Sequence, residues 1–123
     1  MTTISRSQIL EKLSQWAAGA LSPVEMHRWA VQLHDADDID FDDWEHDHAF
    51  SVAREAVAEL EMIDMNLIVP GDAPIFIEFL DTPRDQFEKG YIEFIARLQA
   101  INVKERRKTL KGTEPYARFC RED

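Results

Sequence analysis

Several features are scarce in this chain of 123 residues. The single cysteine, Cys120, excludes an intramolecular disulfide and a cysteine-based zinc finger. The four glycines stand apart at positions 19, 71, 90 and 112, so there is no glycine-rich loop for binding phosphate. The most apolar run, residues 75–80, contains Glu78 and is far too short to span a bilayer. We therefore expect no membrane span, and the single thiol favours a cytoplasmic location.

Basic residues are also few, because 14 lysines and arginines stand against 24 aspartates and glutamates, for a net charge of −10. Residues 35–72 have a net charge of −12, and the stretches on either side have +1 each. The densest part is residues 35–48, hereafter the acidic segment, with eight carboxylates and no lysine or arginine. This balance argues against direct binding to nucleic acid or to an anionic membrane, because both require a basic surface.

The remaining composition is typical of one globular domain over residues 1–123, since 45% of the residues are apolar and 31% are charged. Apolar residues recur at helical spacing, beginning with Ile9, Leu13 and Trp16 in a helix expected over residues 7–20. Ser22 and Glu25 form a capping box that predicts the start of a second helix ending near residue 35. No segment shows a convincing strand pattern, so the chain is predicted to be all-α.

Four further helices complete the predicted architecture. They are expected from Asp42 or Asp43 to Ile63, over residues 75–80, from Thr82 onwards, and from Asn102 to Gly112. The run 75–80 is short enough to fit a strand as well, but a preceding aspartate and proline favour a helix. We expect a compact bundle of five or six helices, with residues 113–123 forming a C-terminal tail that docks on it through aromatic side chains.

The acidic segment is the predicted partner-binding site, because its charge would attract a basic protein over a long range. The candidate contact residues share this segment and are Asp38, Asp40, Asp42, Asp43, Trp44, Glu45 and Asp47. An aromatic side chain among carboxylates, as at Trp44, is typical of a binding patch. The same tryptophan equally fits a hydrophobic staple at a helix start or a lid over the core.

Metal chemistry receives little support from the spacing of these residues. A calcium-binding EF-hand starting at Asp38 would place Asp43 where glycine is needed and Ala49 where glutamate is needed. Glu45 and His48 have the Glu-x-x-His spacing of di-iron bundles, but no second such motif exists. A solvated acidic linker explains the segment better than an ion site does, so we predict no metal ligand and no cofactor.

Catalytic chemistry is similarly unsupported, because Cys120 has no histidine near it in the sequence and no nucleophile motif occurs. We therefore predict that the chain is not an enzyme. In size, acidity and helical pattern it resembles the small acidic helical inhibitors that bacteria use as immunity proteins against toxins. That resemblance implies that the chain blocks a partner protein. No shared motif assigns a role to individual residues.

Three functional hypotheses follow from these patterns. The first is a small acidic domain that binds, and so blocks, a basic partner such as a toxin or a nucleic-acid-handling protein. The second is a helical adaptor or homo-oligomeric domain, possible as a homodimer, with an apolar contact at Ile75–Leu80. The third is an enzyme or metal protein that uses Glu45, His46, His48 and the surrounding aspartates.

Overall fold

Six α-helices and two short strands are found in residues 2–121, the part of the chain that the computed structural model describes. The strands are β1 (Thr2–Ile4) and β2 (Ile39–Phe41), and the helices are α1 (Arg6–Ala17), α2 (Pro23–Asp35), α3 (Val52–Leu60), α4 (Ala73–Leu80), α5 (Phe87–Gln99) and α6 (Val103–Thr109). Helix makes up 57% of the structure, which confirms a compact, mainly helical fold. The last two residues of the predicted tail lie outside the described range.

The two strands correct the all-α prediction, since β1 and β2 pair in parallel as a two-stranded sheet. Thr2 lies opposite Ile39, and the backbone N–H of Thr2 donates to the carbonyl of Asp38 at 2.8 Å. Helices α1 and α2 form the connection that two parallel strands require. An alternating pattern could not reveal these strands, because each is only three residues long.

The predicted start of α2, where the sequence contains a capping box, agrees with the structure. Ser22 accepts from the backbone of Glu25 at 3.1 Å, and the Glu25 side chain accepts from the backbone of Ser22, as predicted. The predicted start of α3 at Asp42 or Asp43 is wrong, because α3 begins at Val52 with Ser51 as its N-cap. The predicted helix start at Thr82 is also wrong, since α5 begins at Phe87 after a turn.

Helix α4 lies at the centre of the core and contacts α1, α3 and α5. Its side chains Phe76, Phe79 and Leu80 are buried, and the Phe79 ring stacks on Phe94 of α5 with centroids 4.1 Å apart. Residues 75–80 are therefore helical, as expected, but their aromatic side chains are used within the core. The apolar contact surface expected there is mostly buried, and only Ile77 is an exposed large apolar residue of that run.

Two side chains near the C-terminal end of the chain are buried. Tyr116 and Cys120 are buried, and the Tyr116 hydroxyl donates to the carbonyl of Ile68 at 2.6 Å. Burial, together with the nearby Asp72 carboxylate, raises the pKa of the Tyr116 hydroxyl far above its ordinary value. Arg106 of α6 donates to the carboxylate of Asp72 and to the carbonyl of Leu67. Leu67, Ile68 and Asp72 all belong to the segment that connects α3 to α4.

Candidate functional site

The acidic segment extends from the last residue of α2, through β2, into the loop that precedes α3. That loop is closed by an antiparallel bridge between Glu45 and Phe50. His46, Asp47 and His48 all have positive φ angles, of 52°, 56° and 68°. Aspartate and histidine tolerate this left-handed conformation better than most residues do, which explains how the loop turns without glycine.

Asp43 accepts hydrogen bonds from three residues, one in α1 and two at the start of α3. Its carboxylate accepts from the Arg6 Nε at 2.8 Å, from the Ser51 hydroxyl and from the backbone N–H of Ala53 at 3.0 Å. The Arg6 guanidinium also donates to the carbonyls of Leu80 and Thr82. Asp43 therefore stabilises the N-terminus of α3 and links it to α1 and to the end of α4.

Glu45 is buried, with 4% of its surface exposed. Its Oε1 accepts from the backbone N–H of Asp85 at 2.6 Å, so it holds the turn that leads into α5. This bond spans 40 residues of sequence. Glu45 thus has a clear structural role, in addition to any role at a binding surface.

Asp40 and Trp44 form a pair within the acidic segment. The Asp40 Oδ1 accepts from the indole Nε1 of Trp44 at 2.7 Å and from the backbone N–H of Phe41 at 2.9 Å. These bonds stabilise the charged carboxylate and hold the pKa of Asp40 below its ordinary value. The half-buried Trp44 ring lies 5.2 Å from the His48 ring, so the indole orientation is fixed from two sides.

The other three candidates, Asp38, Asp42 and Asp47, are exposed to solvent. Asp35 and Asp37 of the same segment are exposed as well. Within residues 2–121, Arg6 is the only lysine or arginine that forms an ion pair with a carboxylate of the acidic segment. The negative charge of this surface is therefore largely uncompensated by the rest of the structure.

The residues of the metal hypothesis are only partly brought together. Ligand atoms of Glu45, His46 and Asp85 lie within 4.8 Å of one another, a set that could hold a divalent cation with open coordination positions. His48 instead contacts Trp44. The sequence did not identify Asp85 as a member of this cluster. Asp85 lies in the turn before α5, where its φ angle is 67°, and no sequence motif predicts that this turn approaches Glu45 and His46.

Comparisons of the chain with protein-family models, curated protein sequences and solved structures return no match. No helix within residues 2–121 combines the length and the apolar character needed to cross a membrane.

Proposed function

We propose that this chain is a small acidic protein-binding domain that recognises a basic partner protein through the acidic segment. The observation that supports this function is a cluster of exposed carboxylates that have no lysine or arginine partner within residues 2–121, at Asp35, Asp37, Asp38, Asp42 and Asp47. Covering the basic surface of a toxin or a nucleic-acid-handling protein would block it, as an inhibitor or immunity-type protein does.

The structure suggests different roles for the seven candidate residues. The exposed Asp38, Asp42 and Asp47 are placed to attract the partner. Asp43 and Glu45 hold the segment in shape through bonds to other elements. Their contribution to binding would then be indirect.

Trp44 is the candidate for a short-range contact within this surface. Its half-buried ring is held by Asp40 and lies beside His48. A ring that is already fixed loses little conformational entropy when a partner covers it. We expect Trp44 to slow dissociation, whereas the exposed aspartates speed association.

Two variants with equal net charge test whether the acidic segment is the binding surface. The segment variant replaces Asp37, Asp38, Asp42 and Asp47 with asparagine. The control variant neutralises four exposed carboxylates elsewhere, at Glu11, Asp81, Glu93 and Glu114. Each change takes the net charge from −10 to −6, so only the position of the lost charges differs.

Native mass spectrometry of proteins captured from host lysate at low salt would identify the partner, and stopped flow would give its association rate. We expect about a tenfold or larger loss of that rate in the segment variant, a smaller loss in the control variant, and a steep decrease with added salt for wild type. Equal rates for the two variants would contradict the proposal, as would recovery of the bare chain alone.

A helical adaptor or homo-oligomeric domain is the second candidate function, and one observation favours it. Phe50 is 39% exposed and Ile92 is 61% exposed, beside a groove of about 350 Å³. The Phe50 ring stacks on the Phe87 ring with centroids 4.8 Å apart, and the Phe87 ring stacks in turn on the Tyr91 ring with centroids 5.4 Å apart. A homodimer that persists at high salt in the same mass spectra would favour this function.

We also infer that the C-terminal tail docks on the helices, as the sequence predicted. The buried Tyr116 and Cys120 and the bond from Tyr116 to Ile68 support this inference. The single buried thiol at Cys120 is consistent with the proposed cytoplasmic location, which cell fractionation would test.

A further inference from the structure

A groove of about 310 Å³ lies between α3, α5 and the start of α6, and none of its lining residues belongs to the acidic segment. Its walls are mostly aliphatic, with the neutral polar side chains of Asn66 and Gln99 beside them, and the aliphatic residues are Ile68, Ile95, Leu98, Ile101 and Val103. The volume is at the lower end of the range for small-molecule sites, which are mostly apolar with a few polar groups.

Glu59 of α3 is the one charged residue among those that line this groove. It is only partly exposed, and within residues 2–121 its carboxylate has no hydrogen bond and no ion pair within 4 Å. Burial raises the pKa of Glu59, and repulsion from Glu55, one helical turn earlier, raises it further. The charged form of Glu59 is thus poorly solvated and lacks a cation.

We propose that this groove binds a small organic cation with an apolar body, of the class of alkylammonium ions. The ammonium group would contact the Glu59 carboxylate and offset the field of Glu55, while the alkyl chain would lie against Ile95 and Leu98. Such a ligand matches the lining, because its ammonium group pairs with the carboxylate and its alkyl chain covers the aliphatic walls. A neutral alkane would leave the carboxylate unpaired, and a carboxylate ligand would be repelled by Glu59.

Titration of the methyl-labelled protein with hexylamine, followed by NMR, tests this proposal at neutral pH. We expect saturable shifts of the Ile95, Leu98 and Ile101 methyl groups. 1-Hexanol has the same alkyl chain without the charge, and we expect its affinity to be at least about tenfold lower than that of hexylamine. Hexanoate, with the opposite charge, should bind more weakly still.

Two variants test whether the Glu59 carboxylate is responsible for hexylamine binding. Glu59→Gln should weaken hexylamine binding by about tenfold, whereas Glu61→Gln, a carboxylate that does not line the groove, should leave it unchanged. Glu59→Gln should remain folded, because it removes a charge that the folded state solvates poorly. A thermal unfolding temperature at pH 7 no lower than that of wild type would verify this.

Three results would overturn the proposal. The first is equal affinity of wild type for hexylamine and 1-hexanol, and the second is unchanged hexylamine binding by Glu59→Gln. The third is tighter binding of a blocked lysine amide at the same methyl groups, which would assign the groove to a polypeptide side chain. Each result is independent of the acidic segment, so none of them decides the proposed protein-binding function.

Discussion

At the scale of single residues, adjacent aspartates of the acidic segment have very different surroundings. Asp42 is exposed, whereas the Asp43 side chain is only 12% exposed and contacts Arg6, Ser51 and Ala53. Sequence alone could not distinguish them, because Arg6 lies 37 residues away from Asp43 along the chain. The charge of the segment was predictable, but the division between structural and exposed carboxylates depends on these distant contacts.

This difference predicts unequal effects of two alanine substitutions on stability. Asp43→Ala should lower the free energy of unfolding by about 2–3 kcal/mol, because the Arg6 Nε and the N-terminus of α3 lose the carboxylate that accepts their hydrogen bonds. Asp42→Ala should change it by about 0.5 kcal/mol or less. Urea unfolding followed by tryptophan fluorescence measures both, and equal effects would contradict a structural role for Asp43.

At the scale of elements, local signals predicted helices where capping residues were present. Ser22 and Glu25 marked the start of α2 correctly, because every group in a capping box is close in sequence. The start of α3 was missed because the loop from 45 to 50 turns through three left-handed residues, which apolar spacing does not reveal. The strand pair was missed because each strand has only three residues and α1 and α2 separate the two strands in the sequence.

A contact between α5 and the turn before it explains a glycine inside the helix. A Cβ added at Gly90 would lie 2.5 Å from the Thr82 Oγ1 and 2.6 Å from its Cγ2. Gly90→Ala should therefore lower the free energy of unfolding by about 1–2 kcal/mol, although alanine is intrinsically favoured in a helix by about 1 kcal/mol.

The double variant Gly90→Ala with Thr82→Ala tests the cause of that loss. Removing both contacting Thr82 atoms should recover part of the stability, even though Thr82→Ala alone loses a hydrogen bond to the carbonyl of Phe79. A double-mutant cycle from urea unfolding gives the coupling between the two positions. A more stable Gly90→Ala single variant would exclude the steric explanation.

At the scale of the whole molecule, negative charge and hydrophobic packing are separated. The acidic segment has eight carboxylates, whereas the apolar side chains of α1, α3 and α4 are buried together in one core. Basic residues near the C-terminus form no ion pair with the acidic segment within residues 2–121, since Arg106 pairs with Asp72 and Lys108 with Glu105. The distribution of charge along the sequence predicted where carboxylates concentrate, and the three-dimensional contacts determine which of them have a basic partner.

The inferred docking of the tail predicts that it unfolds together with the helices. Tyr116→Phe should lower the free energy of unfolding by about 1–2 kcal/mol, because the carbonyl of Ile68 loses its donor in a buried position. Trypsin cleavage at the exposed Arg118 should follow the same urea dependence as tryptophan fluorescence. Cleavage at Arg118 without urea, while the helices remain intact, would contradict docking.

The parallel pairing of β1 with β2 also affects the order in which the chain can fold during synthesis. Thr2 pairs with Ile39, so β1 must wait until both intervening helices have left the ribosome. Closing so long a loop opposes early pairing. We expect α1 and α2 to form first and β1 to be among the last elements of this unit to reach its final position.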